Sequence, residues 1–346
     1  MKKSNYIKKV EIPKNLVEKP VSQGWSLNSW KNEFEKILKS PKNEKRENTK
    51  KLSKNIIRYF SSNFYTVSRI LPKQKRSDVE CVYATVRFPD EIVDTFNISI
   101  EEKIKLIENW EKDYEKSLKT NSFDESLIVT DNPIISSFRE LCIMHSIPDD
   151  YYPNFLQSMK EDLRPKIYDD FEDLIENYIF GSAIIVGYLL TYAYGHSINS
   201  NITSALKTSR DLGIALQLTN FARDIKDDFN RNRCYAPKTI IDHLYKNNHI
   251  SINDEKQMKD VQKIIAEEAE KYYIETWKGI NNFSIESVPA ISACTSVFQK
   301  LNQKIITEKN SVSQRCSLSM YKKITSIPIK HATKISFLYL LDSFKR

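Results

Sequence analysis

The chain has 346 residues, a net charge of +8 and only six glycines. That length is ample for a large buried core, and so little glycine argues against sheet-rich folds, whose turns and bulges depend on it. The five scattered cysteines, Cys81, Cys142, Cys234, Cys294 and Cys316, form no CxxC pair. That argues against a disulfide framework or zinc site and for a reducing compartment.

Residues 1–50 hold thirteen Lys and Arg against six Asp and Glu, so this segment supplies +7 of the net charge. The rest is nearly balanced, which speaks against a nucleic-acid binder with a basic folded face. The basic leader instead suits a solvated surface or an anionic membrane surface. It lacks the apolar run of a signal peptide. The expectation is a cytoplasmic protein, with peripheral membrane association left open. Trp30, Phe34, Ile37 and Leu38 recur at helical spacing, so residues 1–51 are expected as a partly disordered leader with one short amphipathic helix, and 52–346 as one catalytic domain.

Helical periodicity runs through about 75–96, 134–146, 169–195, 203–230, 253–278, 288–308 and 330–344. Ser99 followed by Glu102 reads as a capping box, and Asp131-Asn132-Pro133 as a cap with a first-turn proline. No stretch alternates as a strand, so the fold class is all-α. Tyr178 to Gly195 is eighteen residues without a charge, the lower bound of a membrane span. Its four tyrosines and three glycines fit a buried central helix better.

Two segments carry chemistry. Tyr83, Arg87, Asp90 and Asp94 fall at i, i+4, i+7 and i+11, one stripe on a helix that Pro89 is expected to kink. Gln217, Asn220, Asp224 and Asp228 form a second stripe, with Leu218, Ala222 and Ile225 on the opposite side. An ordinary solvated face mixes in Lys and Glu; these stripes hold short oxygen donors with arginine in register. Aspartates one turn apart can share a hard cation, and magnesium favours a few carboxylates completed by water and phosphate. Arg87, Arg223, Arg231 and Arg233 can neutralise a diphosphate.

The run Ser62-Asn63-Phe64-Tyr65-Thr66-Val67-Ser68-Arg69, followed by Tyr83…Arg87…Asp90-Glu91-Ile92-Val93-Asp94, resembles the opening of bacterial phytoene synthases. Phe155 to Leu163, and Tyr178 to Gly187, resemble later segments of the same proteins. The strongest likeness is Gly213 to Asp228 running on to Arg231, Arg233, Tyr235 and Pro237. Over residues 58–325 the chain is similar to the squalene/phytoene synthase family.

The resemblance implies an isoprenoid-synthase helical bundle around a deep cavity. It implies Asp90, Asp94, Asn220, Asp224 and Asp228 as ligands of Mg²⁺, with Mn²⁺ as an alternative. It implies Asp90, Asp94, Asp224, Asp228, Tyr83 and Arg87 as the catalytic set. Ser61, Ser62, Asn63, Phe64, Gln217, Arg223, Arg231, Arg233 and Tyr235 join Tyr83 and Arg87 as substrate contacts. The expected reaction is head-to-head condensation of two geranylgeranyl diphosphates to phytoene, without NADPH, by a monomer or homodimer. Squalene or dehydrosqualene synthesis from farnesyl diphosphate, a single-substrate cyclase and a silent isoprenoid binder are the alternatives. Three departures stand out: Glu91 where many members have aspartate, Phe60 where some have a basic residue, and Phe298 where tyrosine is common.

Overall fold

The computed structural model describes residues 25–164, 166–231, 233–244, 254–308 and 310–318, apart from the side chains of Ser62 and Asn63. Among them there is no β-strand, only one isolated bridge between His196 and Phe283. The expected helix at 330–344 and the leader up to residue 24 lie outside the described residues.

The helices start where the sequence supplies caps. The Ser26 side chain accepts from the Ser29 amide at the head of α1 (Leu27–Lys39). The capping box of Ser99 and Glu102 opens α5 (Ile100–Ser117), where it supplies two orphan backbone donors with partners. Asn132 caps α7 (Pro133–His145), with Pro133 in the first turn. Asp131 ends α6 (Phe123–Thr130) in the left-handed region at φ 50°, a conformation that aspartate tolerates better than most residues.

α2 (Lys42–Phe60) runs through the boundary expected between residues 51 and 52. α1 is amphipathic, and it is also part of the core. Trp30 is 1% exposed, its ring 4.9 Å from Phe88 and stacked on Phe60. α3 (Ser62–Ser68) and α4 (Lys73–Asp94) follow. These early helices, with α5, α7 and α8 (Tyr151–Asp162), enclose one apolar core that includes Phe88, Trp110, Phe138 and Tyr152.

The second core is built on α11 (Ile202–Asn230), packed along α13 (Glu255–Gly279) and α14 (Val288–Thr307). Polar pins fix its register. Thr219 Oγ1 meets Tyr273 Oη at 2.8 Å, and Gln262 Nε2 donates to the Ala222 carbonyl at 2.8 Å. α12 (Lys238–Leu244) follows the chain segment leaving α11.

Between the two cores runs the helix expected at 169–195. It comprises α9 (Phe171–Leu174), a π-helical segment Ile175–Ile184, and α10 (Ile185–Tyr194). Phe171–Tyr194 is long and apolar enough to cross a membrane by composition; in this fold half of its most apolar window is buried, against α8, α4 and α11. π-helical turns are rare and recur at functional sites. Here the wider turn sets Tyr178, Ser182 and Val186 four residues apart along one cavity wall. Gly181 permits this: a Cβ there would stand 1.8 Å from Ser158 Oγ and 2.7 Å from the Asn154 carbonyl of α8.

Candidate active site

α4, α8, the π-helical segment and α11 surround a polar cavity of about 510 Å³. Both carboxylate stripes open onto it. Tyr83, Arg87, Asp90 and Asp94 line it from α4; Gln217, Asn220, Asp224 and Asp228 line it from α11. Arg223, Arg231, Arg233 and Tyr235 complete that end. An apolar branch of about 310 Å³ continues from it. The two share Tyr83, Val86, Ser182, Val186, Gln217 and Asn220 as walls. Ser61, Phe64 and Ser68 line the apolar branch. Ser61 also caps α3, accepting from the Phe64 amide at 3.3 Å.

The expected kink at Pro89 leaves α4 unbroken from Lys73 to Asp94. A proline removes the donor that would pair with the carbonyl four residues back, here Thr85. Tyr152 Oη donates to that carbonyl instead, at 2.8 Å.

Charge is closely paired around the cavity. Arg87 reaches Asp90 at 2.7 Å and also contacts Glu91. Glu91 is 1% exposed, so it serves as a buried partner for Arg87. Phe60, standing where a basic residue was the alternative, places its ring 4.5 Å from the Arg87 guanidinium. That is a cation–π contact. Arg233 donates to Asp94 at 2.8 Å, and Arg231 lies 3.4 Å from it. These two arginines tie the chain after α11 to the end of α4 and so bring the stripes together.

Asp224 is held twice. Arg223 donates from Nε and Nη2 to the two carboxylate oxygens, at 3.0 and 2.5 Å. Arg315 repeats the fork at 2.6 and 3.1 Å. Burial works to raise this carboxyl, but the hydrogen bonds from Arg223 and Arg315 outweigh it and hold it at about 2. Burial raises Asp228 to about 7, with Asp224 repelling it further. Burial also raises Asp90, Arg87 working against it and Asp94 with it. Tyr83 is pushed up to about 12, mainly by burial.

Lining residues outside the expected set include Arg315, Asp162 and Tyr178. Arg315 comes from an aperiodic segment, so nothing in spacing marks it. Asp162 and Tyr178 lie within segments that carry the family likeness, yet neither belongs to an aspartate stripe. Tyr178 Oη donates to Asp162 at 2.8 Å and Tyr235 Oη at 3.0 Å. Of the expected substrate contacts, the side chains of Ser62 and Asn63 are outside the described ones; the others line one or both branches.

Comparison with known sequences settles the family. The squalene/phytoene synthase family model matches residues 57–322. The chain belongs to the squalene/phytoene synthase family. It is similar to the 15-cis-phytoene synthase of Pantoea ananas, 26% identical over 269 residues, covering 77% of this chain and 85% of that protein. It is similar to phytoene synthase 1 of Arabidopsis thaliana, 23% identical and covering 80% of this chain and 64% of that one. Among solved structures, a dehydrosqualene synthase superposes with a TM-score of 0.65 at 18% identity, over 86% of this chain and 99% of that one. A squalene synthase from Alicyclobacillus acidocaldarius gives 0.62 at 17%, over 78% and 95%. The fold is therefore the isoprenoid-synthase fold, in a family of prenyl transferases that act on prenyl diphosphates and typically use Mg²⁺.

The donor chemistry of this cavity fits that metal. All the candidate ligands are hard oxygen donors. Among the described residues no three carboxylate, imidazole or thiol groups converge to cage an ion on their own. Magnesium commonly uses one or two carboxylates and completes its shell with water and substrate phosphate. Crowding of Asp90 with Asp94, and of Asp228 with Asp224, is the condition a cation relieves. Arg87 Nε and Ser182 Oγ are buried without hydrogen-bond partners, so both can take a partner from a bound molecule.

Proposed function

We propose that this enzyme condenses two geranylgeranyl diphosphates head to head, giving phytoene through a cyclopropyl diphosphate, without a reductant. The observation that carries the reading is the two-part cavity. Both aspartate stripes and five arginines line its polar end, and an apolar branch leaves from it.

Asp90 and Asp94, with Asn220, Asp224 and Asp228, would hold Mg²⁺, which would supply Lewis-acid neutralisation of the leaving diphosphate. Arg87, Arg223, Arg231, Arg233 and Arg315 take up its remaining charge. The C1–O bond of one substrate breaks with its electron pair leaving on the diphosphate. The allylic cation stays in a chamber walled by Phe64, Val67, Leu71, Leu190 and Phe298, from which water is excluded. The 2,3 double bond of the second substrate attacks C1, and loss of a proton closes the cyclopropane. A second diphosphate departure, rearrangement and loss of a proton give the hydrocarbon. Phe298 has no hydroxyl, so it holds no proton in that last step.

The C20 preference is supported by Ser68, a small side chain lining the apolar branch. Each further isoprene unit adds buried carbon at about 0.8 kcal/mol per CH₂, so an open branch favours the longer chain. The test is incubation with equal farnesyl and geranylgeranyl diphosphate and Mg²⁺, without NADPH. A C40 hydrocarbon is expected, shifting towards C30 in Ser68→Phe. C30 products alone from the wild type contradict the chain-length assignment.

A further inference from the structure

Asp162, the last residue of α8, lines the same polar cavity as the aspartate stripes. It stands in neither stripe, and no basic side chain lies within ion-pair distance of it among the described residues. Its two oxygens are instead taken by phenols: Oδ2 by Tyr178 at 2.8 Å and Oδ1 by Tyr235 at 3.0 Å. The two phenol oxygens are 3.1 Å apart, and their rings 4.9 Å. Tyr235 in turn stacks on Phe221 of α11, 4.1 Å between centroids and 12° between planes. The group thus joins α8, the π-helical segment, α11 and the loop after it at one wall.

A phenol has one hydrogen and two lone pairs, and a carboxylate can only accept. When both phenols donate to Asp162, neither has a hydrogen left for the cavity. We propose that Asp162 is a positioning residue. It fixes the Tyr178 and Tyr235 hydroxyls so that they turn oxygen lone pairs, and no hydrogen, to the cavity they line.

The consequence follows from charge. A diphosphate oxygen is itself an acceptor and gains nothing from these phenols, so its partners are the arginine side chains of the cavity. Electron-deficient prenyl carbon meets lone pairs, which favour positive charge. This rests on the head-to-head reading above, because it is the allylic cation that the wall accommodates. Close approach of α8 makes the geometry possible: Gly181, three residues beyond Tyr178, is the only residue type whose side chain leaves Ser158 in place.

The test compares wild type, Asp162→Asn and Tyr178→Phe,Tyr235→Phe, with and without Asp162→Asn, by pyrophosphate release and product identification in saturating Mg²⁺. An asparagine amide donates to one phenol and so turns that hydroxyl's hydrogen towards the cavity. Turnover of Asp162→Asn is expected to fall about 10–100-fold, the usual cost of losing an orienting partner. KM for prenyl diphosphate and the half-saturating Mg²⁺ stay within about threefold, since neither contact is touched. In the double-phenylalanine background the same substitution has little further effect. Wild-type turnover in Asp162→Asn, a tenfold rise in half-saturating Mg²⁺, or a full loss repeated in the double-phenylalanine background overturns the proposal.

If Asp162→Asn fails to fold, Asp162→Leu with both phenylalanines removes donors and acceptor together. It is then expected to match the double-phenylalanine enzyme, and a further tenfold loss of turnover overturns the proposal. Wild-type enzyme that releases pyrophosphate but forms no head-to-head hydrocarbon refutes the proposed function, while the variant ratios still judge Asp162. Wild type that releases no pyrophosphate overturns both.

Discussion

Tyr152 Oη donates to the Thr85 carbonyl at 2.8 Å, taking the acceptor that Pro89 leaves without a helical donor. Trp110 Nε1 donates to the same hydroxyl at 2.6 Å, and Tyr152 is fully buried. This chain of bonds runs from α5 through α8 to α4. It lets a proline stand one residue before Asp90 without breaking the helix that carries the first aspartate stripe.

Tyr152→Phe therefore strands the Thr85 carbonyl and the Trp110 indole in the core. It should cost about 2–4 kcal/mol, near the penalty of two buried unsatisfied groups. In a Pro89→Ala background the amide of residue 89 can satisfy Thr85, so the same substitution should cost measurably less. Urea unfolding of the four proteins in the cycle measures this coupling. Equal costs in both backgrounds would mean that Tyr152 does not act for the missing donor.

Arg315→Met should separate site from scaffold. Its side chain is 62% exposed, so loss of its pair with Asp224 should change stability by less than about 1 kcal/mol. Asp224 keeps Arg223, but its carboxyl rises from about 2 when the second fork is gone. A diphosphate loses one charge-assisted contact, about 1.5 kcal/mol or roughly tenfold in KM. Steady-state kinetics beside thermal unfolding distinguishes the two effects; an unchanged KM would remove Arg315 from the diphosphate end.

Asp162 gives a pH signature in the metal-free protein. Burial, the largest influence, lifts its carboxyl from 3.8 to about 6, against the pull of Arg233. The folded state thus holds this proton more tightly than the unfolded chain. Through the window from about pH 4 to pH 6 the unfolded chain ionises first, so the contribution of Asp162 to stability declines as pH rises. Asp162→Asn has no such group. Measured by urea unfolding between pH 4.5 and 7.5, the wild type should lose ground to the variant by on the order of 2 kcal/mol. Parallel pH curves would place the titration elsewhere.

Much of this architecture was legible in the residues. The caps at Ser99 and Asn132 are visible because capping needs specific side chains at fixed offsets. The stripes on α4 and α11 are visible because a helix maps i and i+4 onto one face. Arg315 was not legible: its approach to Asp224 joins positions 91 residues apart, with no periodic segment around it. The place of α1 was also hidden. Trp30 reads as one face of a short amphipathic helix, and only the assembled aromatic cluster of Phe60, Phe88 and Trp110 shows what that face covers. The π-helical turn is a third case: Tyr178–Gly195 carries no charge, so it has no polar face whose shift in phase could mark a wider turn, and the tight approach of Gly181 to Ser158 appears only in the fold.

The central claim is that one cavity, walled by the aspartates of α4 and α11, performs a Mg²⁺-dependent head-to-head condensation. The most direct measurement is the stoichiometry of pyrophosphate and hydrocarbon from geranylgeranyl diphosphate, with wild type, Asp90→Asn and Asp224→Asn. The account predicts two pyrophosphates per C40 hydrocarbon, none in excess chelator, and turnover reduced about 100-fold or more in each folded variant. Full turnover in chelator, or near-normal turnover in either variant, would contradict it.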